Sequence, residues 1–199
     1  MRDMINQAAR RTPAWAVYIV GFALAAWVIF SSLSTPDPAK VLERVLGIRG
    51  LQILIFTLCI TPLRWGGINL LKFRRALGLM AFMFIGLHFL TWMVLDLGLR
   101  WGDIITALLK RPYIIIGFAA FLVLIPLAAS SNNFSIKKLG AARWKRLHWL
   151  AYPATLAGAA HFVMIGKVYT LESGLYLAAV VGLLAARRLK TMKRPVLAA

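Results

Sequence analysis

The chain has 199 residues, 61% of them hydrophobic, with a mean hydropathy of +0.76 and six acids against 24 Lys and Arg. A soluble domain of this length needs a polar surface that such a composition cannot supply, whereas several runs approach the ~20 apolar residues that cross a bilayer as a helix. A net charge of +18 would suggest nucleic acid in a soluble chain, but the cations fall between the apolar runs, so the expectation is an integral membrane protein with no nucleic-acid partner.

Residues 1–13 are polar and basic, carrying Arg2, Arg10 and Arg11. A first span over about 14–33 follows, with Trp15 and Trp27 near its ends as interfacial anchors. It is too long for a signal peptide, and Thr-Pro-Asp-Pro follows it in place of a cleavage site. Residues 34–49 read as a polar connector in which Asp37 and Pro38 open a short surface helix over Ala39 to Leu46. A second span, 48–63, is closed by Thr61-Pro62, and 64–75 is a basic loop. The third span, 76–97, holds His88; Trp101, Asp103 and an apolar ITALL in 98–111 suggest an interfacial helix. Pro112 opens the fourth span, 113–129, and 130–146 is polar and strongly basic. The fifth span, 147–166, holds His148 and His161; after a turn at 167–173 comes a sixth, 174–190, and a basic tail. Cys59 lies inside an apolar run and reads as a small buried hydrophobe, with no CxxCH for covalent haem attachment.

Charges on alternate sides of these spans set the topology. One side holds the N-terminus, 64–75, 130–146 and the tail, with 17 Lys and Arg against one acid. The other holds 34–49, 98–111, 167–173 and Asp96, with seven against five. The positive-inside rule then puts both termini in the cytoplasm around a single six-helix transmembrane domain, 1–199.

Ligating side chains inside a membrane span are costly, so each is a site hypothesis. His88 lies 13 residues beyond Arg75 and His161 15 residues beyond Arg146, roughly 20 and 22 Å from the cytoplasmic face at helical rise. Two imidazoles level with each other on parallel helices can supply both axial ligands of one haem. Ala157 and Gly158, at i−4 and i−3 from His161, share its face and suit either a flat macrocycle or close helix packing. Structural hydrogen bonding is the alternative for the histidines; zinc is weaker, because no acid or second Cys stands at helix spacing to complete a site. His148 lies near the cytoplasmic face, and on a straight helix its 13-residue offset from His161 is 140° short of whole turns. Pro153 could bend the helix between them. The residue level with His148 on the third span, Arg75, cannot ligate, so His148 could serve a second haem, a propionate, a flavin or the incoming electron.

The order of TPDP, ITPL, RRALGL…LH, KRPYIIIG and RWKRLHWLAY…H, with 60 residues from His88 to His148 and 13 more to His161, resembles the haem-binding membrane subunits of periplasmic methionine-sulfoxide reductase systems. These are similar in turn to ferric-reductase and NADPH-oxidase transmembrane domains. The resemblance covers nearly the whole chain and implies a cytochrome b-type helical bundle, haem b (one or two), FMN, and electron transfer from a quinone or flavin reductase to a periplasmic molybdopterin-containing reductase that repairs oxidised methionine. His88, His148 and His161 would be the metal-binding and cofactor-binding residues. The wider domains bring two histidines on each of two helices; this chain has one on the third span. The alternatives are a stand-alone ferric-reductase-like oxidoreductase and a cofactor-free transporter or structural subunit, the latter disfavoured by the lack of intramembrane acids.

Overall fold

A computed structural model describes residues 1–166 and 170–192, and all the regular structure among the described residues is helical. The expected turn at 167–173 and the basic tail therefore lie partly outside the described residues. The helices are α1 (Arg2–Arg11), α2 (Ala16–Leu33), α3 (Pro38–Trp65), α4 (Arg74–Thr91), α5 (Trp101–Lys110), α6 (Pro112–Ala129), α7 (Asn133–Leu139), α8 (Ala141–Trp149), α9 (Ala151–Ile165) and α10 (Leu171–Met192). A 3-10 turn (Leu71–Phe73) precedes α4, and a π-helical turn (Trp92–Asp96) prolongs it. Among the described residues four segments are long and apolar enough to cross a membrane: α2, α3, Leu71–Asp96 and α6.

The polar connector and the short second span are in fact one helix. Asp37 caps α3, accepting Lys40 N–H at 3.3 Å and pairing with Lys40 Nζ at 2.7 Å, and Pro38 takes the first helical position. Glu43, Arg44 and Arg49 interrupt the hydropathy there but not the backbone. The 28 residues of α3 continue past them, a length of about 42 Å. Thr61-Pro62 does not close the helix either. Pro62 removes only the N–H that would bond the Leu58 carbonyl, and the Arg187 guanidinium on α10 donates to that carbonyl in its place. Arg187, near the end of the expected sixth span and counted above only as a topological charge, is thus an integral part of the packing, its other arm 2.8 Å from Tyr152 Oη on α9.

The fifth expected span breaks into α8 and α9 at Leu150. Pro153 then falls in the first turn of α9, where its missing N–H has no intrahelical partner to lose. The basic loop 130–146 likewise carries α7 and most of α8.

Three clusters of buried side chains register the bundle on α3. Leu42 and Leu46 pack with Ala25, Val28 and Phe84; Leu54 with Ala81, Leu124 and Ala154; Leu51 and Leu58 with Ala159 and Val180. Small residues set the closeness of these contacts, as they do where lipid offers no hydrophobic drive between helices. A methyl group on Gly50 would stand 2.6 Å from Ile85 Cγ1. The buried hydroxyls of Ser32, Thr91 and Thr155 bond the carbonyl four residues back, so none is left unpaired. Outward-facing Val20, Phe22, Phe30, Leu122 and Ile125 are exposed, the apolar exterior that a bilayer requires. At one end, Asn6 bonds Gly67 and Asn69, Lys72 bonds Arg10, and Arg75 bonds Asn133. That end gathers α1, the 66–73 turn, α7 and the start of α4.

Candidate haem site

His88 on α4 and His161 on α9 face each other, ring centroids 6.3 Å apart and planes at 73°. Each ring lies against the backbone of a neighbouring helix. His88 Nδ1–H donates to the Glu43 carbonyl of α3 at 2.8 Å; His161 Nδ1–H donates to the Tyr113 carbonyl of α6 at 2.6 Å. A carbonyl can only accept, so in both rings the proton is on Nδ1 and Nε2 carries the lone pair. Neither Nε2 has a hydrogen-bond partner among the described residues.

A ligating imidazole nitrogen sits about 2 Å from a first-row metal, with its ring centroid roughly 1 Å further back. Two such rings on opposite sides of one iron therefore have centroids about 6 Å apart, and the observed pair meets that separation without movement. The rings line a cavity of about 560 Å³, in the range of cofactor pockets. Its walls include Phe89, Phe118 and Phe121, stacked at 5.0–5.6 Å, and its mouth carries Lys40, Arg44 and Arg111. An apolar slot with two free imidazole nitrogens and cations at its rim suits a porphyrin with an iron centre and carboxylate edges. Gly158 borders this cavity, while Ala157, its expected companion, is not among the lining residues.

His148 is held apart from the pair. It stacks on Trp144 (centroids 3.8 Å, planes 24°), with Nε2 3.3 Å from Ser131 Oγ and Nδ1 3.2 Å from the Trp144 carbonyl. Both of its nitrogens are engaged by protein, and Arg75 bonds Asn133 at 2.9 Å. Among the described residues no cluster of three or more His, Cys, Asp or Glu side chains is placed to hold a metal ion. Sequence reasoning passed over Gly47, Gly117 and the cations at the mouth. The signal for the glycines was their cost: each sits inside a helix, where Ala is better by roughly 1 kcal/mol.

A polytopic helical protein with two imidazoles facing across a cavity matches one family in particular. Residues 46–159, from α3 through most of α9 and stopping two residues short of His161, match the family described as ferric reductase like transmembrane component; fold and site together define a ferric-reductase-like membrane protein. A relative from Brucella anthropi named protein-methionine-sulfoxide reductase heme-binding subunit MsrQ is 43% identical over 192 residues, covering 91% of this chain and 87% of its own length. One of the same name from Brucella ovis is 45% identical over 174 residues, 85% of this chain and 79% of its own. The chain belongs to the MsrQ family. No solved structure matches it.

Proposed function

We propose that this chain is the membrane electron-transfer subunit of a methionine-sulfoxide reductase system, with one b-type haem held between His88 and His161. The observation that carries the reading is the 6.3 Å separation of two rings whose Nε2 atoms are free. The relatives' names add a haem-binding role and a methionine-sulfoxide reductase.

When bound, haem supplies a reversible one-electron carrier. The protein's part is to fix ligands, potential and distance. The Glu43 and Tyr113 carbonyls hold each Nδ1 proton and so present Nε2 to the metal, a second layer of contacts that also raises ligand basicity. Phe89, Phe118 and Phe121 keep water from the ring faces, and Lys40, Arg44 and Arg111 offer counter-charges to the propionates.

In this reading α2, α3, α4, α6, α9 and α10 make six crossings of a bacterial inner membrane, with both termini cytoplasmic. The 17-to-1 excess of cations over acids on one side supports that orientation. The haem cavity then opens toward the periplasm, where a molybdopterin-containing reductase subunit accepts electrons. The donor, a quinone or flavin reductase, meets the cytoplasmic end. The FMN that the sequence resemblance implies would have its best-suited surroundings there, where the Trp144–His148 stack lies close to Arg74 and Arg75.

An absorption spectrum of the purified chain tests the core of the reading. A Soret band is expected in the wild type and in His148→Ala, and its loss in His88→Ala and His161→Ala. A colourless protein from haem-replete cells overturns it.

A further inference from the structure

The two facing histidines are seated in the same way. The ring of His88 lies where Gly47 has no side chain, and its Nδ1–H reaches the carbonyl of Glu43, four residues earlier on the same helix. The ring of His161 lies where Gly117 has none, and its Nδ1–H reaches the carbonyl of Tyr113, again four residues earlier. In a helix, the carbonyl of residue i−4 already accepts the N–H of residue i. The imidazole therefore bonds the carbonyl's second lone pair, and it can approach only if nothing projects from residue i on that side. Two unrelated helices, α3 and α6, offer this notch to two different histidines.

We infer that Gly47 and Gly117 are positioning residues for the axial ligands: each one's missing Cβ admits an imidazole to a helix carbonyl and thereby fixes its rotation about the iron–nitrogen direction. The inference rests on the haem reading above. The ring planes that result, 73° apart, are close to perpendicular. Perpendicular axial imidazoles leave two iron d orbitals nearly equal in energy, so the ferric haem has a strongly anisotropic low-spin resonance with one widely displaced g value. Parallel imidazoles give the narrower rhombic pattern instead.

The two seats differ in tightness. A Cβ on Gly117 would stand 2.7 Å from His161 Nδ1 and 2.8 Å from Cε1, closer than side-chain atoms approach, and the ring cannot retreat without giving up its hydrogen bond. A Cβ on Gly47 would stand 3.0 Å from His88 Nδ1 and 3.2 Å from Cε1, a crowding that a shift of a few tenths of an ångström relieves. By contrast, Gly78 and Gly86 on α4 face open space. Ala at those positions only improves helix propensity.

The test uses the full chain in detergent, freed of haem and titrated with haem b, with electron paramagnetic resonance on the reconstituted ferric form. Loss of contacts behind a ligating histidine typically costs 10–100-fold in metal affinity. Gly117→Ala is therefore expected to weaken haem b binding tenfold or more and to move the displaced g value inward. Gly47→Ala should change both in the same direction by less, and it keeps the comparison open should Gly117→Ala fail to fold. Gly78→Ala and Gly86→Ala should match the wild type in both. Unchanged affinity and resonance in Gly47→Ala and Gly117→Ala, in a wild type that binds haem through His88 and His161, would overturn the positioning role and leave the haem reading standing. A wild type that takes up no haem b would overturn both.

Discussion

Replacing Arg187 by methionine removes the donor that stands in for the N–H Pro62 lacks. Inside helix α3 the Leu58 carbonyl would then have no partner. An orphaned buried acceptor costs about 1–3 kcal/mol. The bond to Tyr152 Oη at 2.8 Å is lost as well, and hydrogen bonds to charged groups are worth about 1.5–3 kcal/mol. Arg187 Nε is itself buried without a partner, so removing the guanidinium also relieves a desolvated donor, and the net loss falls in the lower half of the summed range, about 2.5–4 kcal/mol. The informative measurement is the cycle with Pro62→Ala. Alanine at 62 restores the backbone N–H, which bonds the Leu58 carbonyl within the helix. In that background Arg187→Met should cost about 1–3 kcal/mol less, the remainder belonging to Tyr152. Reversible unfolding of the four proteins in mixed micelles gives the coupling. Equal cost of Arg187→Met in both backgrounds, within the ~0.5 kcal/mol expected of independent sites, would show that the guanidinium does not serve the Leu58 carbonyl.

Gly50→Ala forces a methyl group to 2.6 Å from Ile85 Cγ1, an overlap of about 1 Å against ordinary carbon contact. It should destabilise by about 1–3 kcal/mol, and Ile85→Ala should rescue most of that loss, as thermal unfolding of single and double variants will report. Additive losses would place the α3–α4 contact elsewhere. Arg44→Gln and Arg111→Gln each remove a cation from the rim of the cavity. Reduction adds negative charge to haem, so each should lower its midpoint potential by about 1 kcal/mol equivalent, several tens of millivolts at an effective dielectric near 20. Spectroelectrochemical titration measures it, and an unchanged or raised potential would refute the rim's electrostatic role.

Depth along a helix is legible in a sequence; which way a side chain points across a bundle is not. Counting from the flanking arginines puts His88 and His161 level, and the structure brings their rings within 6.3 Å. The same count put His148 near the basic end, and the i, i+4 spacing of Trp144 and His148 on α8 puts both rings on one face; what it could not show is Ser131, whose hydroxyl the fold brings to Nε2 from 17 residues away. Hydropathy also divided α3 in two. Charged residues inside a helix lower the apolar average of a window without touching the backbone, and Glu43, Arg44 and Arg49 do so in the stretch whose carbonyl and glycine seat His88. Arg187 was hidden for a related reason. A guanidinium near the end of an apolar run reads as a topological charge, and only the gap that Pro62 leaves in a different helix makes it a hydrogen-bond donor.

The site is therefore a product of register between helices more than of any local motif. His88 meets α3 at Gly47, one turn from where Ile85 meets the same helix at Gly50, so a slide of α4 along α3 by a single residue rise, about 1.5 Å, would carry the imidazole off both its notch and its carbonyl. Leu42 and Leu46 on one side of that contact, and Leu51 and Leu54 on the other, are packed into three separate clusters. Close-packed interiors resist such a slide because every interdigitated side chain would have to move together. The three clusters thus hold the imidazole in register, and the bulk of α3 serves the geometry of one nitrogen atom that it does not itself supply.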